Sequence, residues 1–197
     1  MTDVERLMQN CRVNLPGAVD GAIKLEYFNV MDEFLSDTNL WQETIAVSIT
    51  TTNLTYSVAS AQGGACARLL YVVDSDGAPR TAGMLTPGTM DVPKYPSAAD
   101  TWQATIAMTV TEPLDGSGYP VFPAWILGTW GNQIAEGIIG KMMTQVAKPY
   151  SNQALAIFHL KNFGGAKTSA RIEVTRRNTF GTQAWRFPRS FHTRARR

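Results

Sequence analysis

Apolar positions recur at helical spacing near both ends of the chain and at strand spacing between them. From Ala18 to Phe34, the residues Val19, Ile23, Tyr27, Val30 and Phe34 fall three and four apart, and Phe28, Met31 and Leu35 widen the stripe. That spacing draws an apolar face along a helix, and a face this broad predicts packing on two sides. A shorter helix is predicted over residues 3 to 13, opened by Thr2 or Asp3 and stopped by Leu15-Pro16-Gly17. After Asp37-Thr38-Asn39 the period drops to two. Ile45, Val47 and Ile49 alternate with Ala46, Ser48 and Thr50 in a threonine-rich run, the pattern of a half-buried strand. Further strands are predicted at Leu54 to Val58, Leu69 to Val73, Arg80 to Leu85 and Trp102 to Val110. Asp74-Ser75-Asp76-Gly77 supplies a hairpin turn, Pro87-Gly88 another turn, and Val92-Pro93-Lys94-Tyr95-Pro96 an extended loop.

Helical spacing returns between Gly118 and Asn178, which reads as two helices folded back on each other. Leu127, Trp130, Ile134, Ile138 and Met142 share one face of the first, and Pro123 stands where a helix can begin without losing a hydrogen bond. Lys148-Pro149-Tyr150-Ser151-Asn152 ends it, and Ser151 or Asn152 can cap the next helix. That second helix carries Ala156, Leu160, Phe163, Ala170 and Val174 on one stripe, with Lys161, Ser169, Glu173 and Arg177 turned away. Small residues crowd the pair. An interior glycine costs roughly 1 kcal/mol relative to alanine, so Gly128, Gly131, Gly137, Gly140, Gly164 and Gly165 predict close helix packing, by a neighbour in the same chain or in another copy. The expected fold class is α+β in a single domain. Residues 1–40 and 118–178 form a helical bundle, 42–111 an inserted antiparallel β subdomain, and 180–197 an extended C-terminal arm.

Charged residues make up 17% of the 197 positions, below the usual quarter, as expected where partners cover part of the surface. The acidic opening Met1-Thr2-Asp3-Val4-Glu5-Arg6 has no apolar stretch of the secretory kind, and no apolar run is long enough to span a bilayer. Cys11 and Cys66 stand far apart with no paired spacing, so reduced thiols in a protein made in the cytoplasm are expected. Charge is unevenly placed. Residues 161–197 hold ten Lys and Arg against one acid, Glu173, a local +9 in a chain whose total is +2. A basic end and an acidic remainder suit contacts between copies or docking on a charged partner. Within the arm, Trp185, Phe187 and Phe191 alternate with Arg186, Arg189 and Arg194, and Pro188 prevents a continuous helix. Such a segment can grip nucleic acid or anchor in an acidic protein groove.

No catalytic constellation emerges. His159 lies near Phe158 and Phe163 and reads as a core-edge histidine, and His192 sits in the basic arm without an acid or nucleophile nearby in sequence. Asp74-Ser75-Asp76-Gly77 lacks the remaining ligands of a calcium loop, and Gly63-Gly64 lacks the lysine of a phosphate loop. Neither enzymatic activity nor a cofactor nor a metal is expected.

The order of parts carries a resemblance. The helix NLPGAVDGAIKLEYFNVMDEFLSDTNLW, a β insertion, then GYPVFPAWILGTWGNQIAEGIIG leading into AIFHLKNFGGAKTSARIEVTRR and an aromatic-basic tail together resemble the head-to-tail adaptor (head-completion, connector) proteins of tailed bacteriophages. The likeness is to the group that includes the tail tubular protein A of T7-type phages and covers both helical ends, a little over half the chain. It implies a structural virion protein, made in the host cytoplasm and located at the neck. Copies form a ring, commonly of twelve subunits, beneath the portal protein, contact a tail or nozzle protein, and line a channel through which genomic DNA passes without specific recognition. The C-terminal arm would reach the portal, with Trp185, Arg186, Phe187, Arg189, Phe191 and Arg194 as docking candidates. The alternatives are a DNA-binding accessory protein using that basic arm, or another structural protein that completes the neck or tail.

Overall fold

Thr2 opens the first helix through a reciprocal cap. Its hydroxyl accepts the Glu5 N–H at 3.2 Å, while the Glu5 carboxylate accepts the Thr2 N–H at 2.7 Å. In this computed structural model, which describes residues 2–60, 63–111 and 119–178, that helix is α1 (Asp3–Asn14). It is followed by α2 (Asp20–Thr38), a run of strands, then α3 (Trp125–Met143) and α4 (Gln153–Asn178). The fold is α+β, four helices with two antiparallel sheets among the described residues.

The broad face of α2 is used on two sides, as its sequence predicts. Ile23, Tyr27, Val30, Met31, Phe34 and Leu35 are all buried, and α2 touches α3 and α4 as well as the sheet. Val19, expected on that face, instead precedes the helix and lies exposed, because the helical turn begins at Asp20. Asn39 ends α2 in the left-handed region, φ 52°, with its N–H on the Leu35 carbonyl at 2.9 Å.

One sheet holds β1 (Gln42–Ile49), β7 (Asp100–Thr109), β3 (Ala65–Val73) and β4 (Pro79–Arg80) in that spatial order. The other holds β2 (Thr55–Ser57), β6 (Thr89–Asp91) and β5 (Gly83–Thr86). Two expectations are corrected here. The single strand expected from Arg80 to Leu85 is two strands in different sheets, since the chain crosses over at Thr81 and Ala82. β6 escaped the sequence reading because three residues are too few to display alternation; only Met90 of the three is fully buried. Cys66 pairs across the ladder with Met108 and its thiol takes a backbone hydrogen bond from Gly88, in the turn between β5 and β6, which brings the sheets together. Gly64 is required where it stands: a Cβ there would lie 2.5 Å from the Trp41 ring and 2.7 Å from the Thr109 carbonyl. The Thr109 hydroxyl donates to the Asp32 carboxylate at 2.7 Å and so ties β7 to α2.

α3 is the central helix, in contact with α1, α2 and α4. Its predicted stripe of Leu127, Trp130, Ile134, Ile138 and Met142 is buried, and so are Ile126, Ala135, Ile139 and Met143, as three neighbours demand. Asn152 caps α4, its side-chain oxygen accepting the Leu155 N–H at 3.1 Å. Ser151 is used differently, linking the Lys148 N–H and the Gln145 carbonyl within the turn. α4 continues unbroken through Gly164 and Gly165.

Candidate interaction surfaces

The α3–α4 hairpin sorts its glycines into two kinds. A Cβ on Gly137 would stand 2.9 Å from both the Phe163 ring and Val30 Cγ1. One on Gly140 would stand 2.9 Å from Leu160 Cγ and 3.1 Å from the Leu160 backbone nitrogen. α4 and α2 approach α3 through these two notches, and the neighbour is in the same chain. Gly131 meets only Leu127 of its own helix, at 3.9 Å. At Gly128, Gly164 and Gly165 an added Cβ would have nothing within 4 Å. Close packing among the described residues therefore does not account for those three.

The uncovered glycines of α4 border an apolar seam. Phe158, Gly165 and Ile172 follow one another at intervals of seven and all three are exposed, with Ile157 exposed beside Phe158. A repeat of seven keeps side chains on one side of a helix. The opposite side of α4 buries Ala156, Phe163, Ala166 and Ala170. A helix apolar on both sides has two faces to cover, and one is covered here. On another flank of α3, where α1 packs, Val4, Val121, Phe122 and Leu127 line an open apolar groove of about 480 Å³.

Charges inside the helical region are more self-satisfied than the sequence suggests. Lys141 of α3 reaches Glu33 at 2.7 Å and Glu26 at 3.6 Å on α2, and Lys167 of α4 reaches Glu33 at 2.5 Å and Asp37 at 2.8 Å. Arg171 donates to the Asp37 carbonyl at 2.8 Å. Part of the basic C-terminal charge, Lys167 and Arg171, is thus paired with α2 of the same chain. The Lys167 hydrogen bond holds the Asp37 carboxyl below its usual range; Glu33 is also lowered, because Lys141 and Lys167 together outweigh the desolvation that would raise it. This network was missed in the sequence, although Glu26, Glu33 and Asp37 sit seven and four apart on one side of α2. His159 is buried, with Nδ1 2.8 Å from Glu136 of α3, whose same oxygen accepts from Asn162 at 3.0 Å. It links two helices. Asp74 is a turn residue: its carboxylate accepts the Asp76 and Ala78 N–H groups at 3.0 and 2.7 Å and pairs with Arg80.

The arm candidates Trp185, Arg186, Phe187, Arg189, Phe191 and Arg194 lie outside the described residues. Among the described residues, no group of three or more His, Cys, Asp or Glu is placed to hold a metal ion, and no helix is long and apolar enough to cross a membrane. No protein-family model matches this chain, and no curated protein matches it either.

Proposed function

We propose that this protein is a structural component of a bacteriophage virion, a head-to-tail adaptor whose helical bundles stand side by side in a ring beneath the portal and join capsid to tail. The observation that carries this reading is the outer side of α4, where Phe158 and Ile172 flank glycines that no part of the described chain approaches. Two interior glycines cost roughly 2 kcal/mol of helix stability relative to alanine, a cost that a neighbouring copy packed closely on that seam would offset. A closed ring needs two different faces on each copy. The seam on the outer side of α4 and the groove beside α1 are separate faces and supply a pair. In this reading residues 180–197 anchor the ring to the portal, and DNA passes through without being recognised.

The deciding experiment is electron microscopy of portal-bearing heads incubated with the full chain and with a variant lacking residues 180–197. Ring density at the portal vertex is expected with the full chain and not with the deletion. Absence of density with the full chain would overturn the proposal. So would tight binding to random duplex DNA, steeply salt-dependent and lost on the same deletion, which is the signature of a DNA-binding accessory protein.

A further inference from the structure

The turn between β3 and β4 and the loop between β6 and β7 enclose a groove of about 670 Å³, within the size range of ligand sites. Arg80 is fixed beside it. Its Nε and Nη2 both donate to one oxygen of Asp74, at 2.9 and 2.7 Å, and its guanidinium lies over the Trp102 ring, 5.9 Å from the centroid. Asp74 is itself 4% exposed and held by two backbone N–H groups, while Trp102 is buried and donates to Asp100 at 3.1 Å. The guanidinium is therefore preorganised, and its Nη1 donors have no partner among the described residues although the side chain is half exposed. A free guanidinium edge in a fixed plane is suited to a carboxylate.

The rest of the lining narrows the occupant. Lys94 and Tyr95 are exposed on the rim with no ion pair or hydrogen bond among the described residues, and Pro93 and Pro96 stiffen the loop that presents them. Asp100 also lines the groove, but its carboxylate is occupied by Ser75, the Thr101 N–H and the Trp102 indole. Asp76, on the turn, is the remaining acid of the lining. From Pro93 to Ala99, no backbone group makes a backbone hydrogen bond among the described residues. The loop bends at Pro93-Lys94 and again at Ser97-Ala98, and its unpaired N–H and C=O groups can bond a second chain laid along it.

We infer that this groove binds an extended peptide segment bearing an acidic side chain: the carboxylate on the free edge of Arg80 with Lys94 alongside, the peptide backbone against residues 93–99, and a neighbouring apolar side chain on Tyr95. The inference does not depend on the ring or on residues 180–197.

The test immobilises the full chain and offers pools of hexapeptides, each with one central residue type fixed and the others randomised. Retention of the Glu and Asp pools about five-fold above the Gln, Leu and Lys pools is expected. Lys94→Glu should abolish that preference and Tyr95→Ala should lower retention of every pool. Both side chains are exposed and unpaired, so these variants fold. Arg80→Lys keeps a cation beside Asp74 but removes the second donor edge, and should also remove the acidic preference. Equal retention of all pools, an acidic preference unchanged in the Lys94 variant, or retention unchanged in the Tyr95 variant, would overturn the proposal. An oligogalacturonate that binds with the same variant sensitivities while no peptide pool is retained would also overturn it, by marking the groove as a site for acidic sugars.

Discussion

α3 and α4 are packed neighbours in one hairpin and both carry glycines at interior positions, yet the glycines do different work. In α3, Gly137 and Gly140 are notches occupied by Phe163, Val30 and Leu160, with no room for a methyl group. In α4, a Cβ on Gly164 or Gly165 would have nothing within 4 Å among the described residues. The same residue type lowers helix propensity at all of these positions, and only at Gly137 and Gly140 does packing among the described residues offset the loss; Gly128 of α3 stands with the α4 pair. A glycine pair in a helix is informative about a neighbour only once the space beside it is known to be filled or empty.

The difference is most severely broken from the occupied side. Phe163, 2% exposed, fills the Gly137 notch and stands 6.0 Å from Phe34, centroid to centroid. Phe163→Ala should cost about 3–5 kcal/mol, read by urea denaturation, and an effect under about 1 kcal/mol would mean that α4 is not held by this contact. Gly140→Ala comes next. The Leu160 backbone nitrogen cannot swing aside as a side chain does, so overpacking of about 1–3 kcal/mol should outweigh the gain in helix propensity of roughly 1 kcal/mol. The net expectation is modest destabilisation, with Gly137→Ala milder because its obstructing atoms belong to the Phe163 and Val30 side chains. On the empty side the sign reverses. Gly165→Ala and Gly164→Ala should each stabilise the isolated chain by about 0.4–1 kcal/mol, while Gly165→Leu should prevent assembly in the ring reading. If Gly165→Leu left ring formation on portal-bearing heads intact, the seam would lie outside any interface.

Much of this contrast lay beyond the reach of the sequence for a definite reason. The helices themselves were legible, because Ile23, Tyr27, Val30 and Phe34, and again Leu127, Trp130, Ile134 and Ile138, repeat at the helical period and are all buried. The glycines were visible as an excess, but whether Gly137 or Gly165 is approached depends on which side of α3 receives α4, a tertiary fact that periodicity does not encode. The β region was read with less success for a related reason. A long run such as β1 shows alternation, whereas β4, β5 and β6 are two to four residues each, and β4 and β5, in different sheets, fall within the one strand expected from Arg80 to Leu85. The groove beside Arg80 was similarly hidden: the Asp74 turn was recognised locally, but its pairing with Arg80 and the stacking on Trp102 join residues 28 apart in sequence. Bulk charge could not show that two of the basic residues beyond position 160, Lys167 and Arg171, pair with Glu33 and Asp37 of the same chain.

The smallest expected effect separates packing from charge as the hold between α2 and α4. Lys167 lies between Glu33 and Asp37, and burial that would lower its pKa is outweighed by its hydrogen bonds to both, so it stays charged wherever those carboxylates titrate. Both carboxyls sit below their usual range in the folded chain. As pH falls past about 4 the unfolded chain takes up these protons first, so this part of the stability is present above that pH and is lost as the folded carboxyls protonate. Lys167→Met removes the cation over the Phe163 ring but keeps an apolar chain beside it, and should let the Asp37 carboxyl return toward its ordinary value, while Glu33 keeps its hydrogen bond from Lys141. The dependence of Tm on pH between about 4 and 2 should then flatten, while the loss at neutral pH stays below roughly 1 kcal/mol, because the paired acids are a third or more exposed. An acid slope identical to that of the parent chain would mean that the ion pairs contribute nothing to the junction. The closeness of α2 and α4 would then rest on Phe163, Val30 and Gly137 and on the Arg171 hydrogen bond to the Asp37 carbonyl.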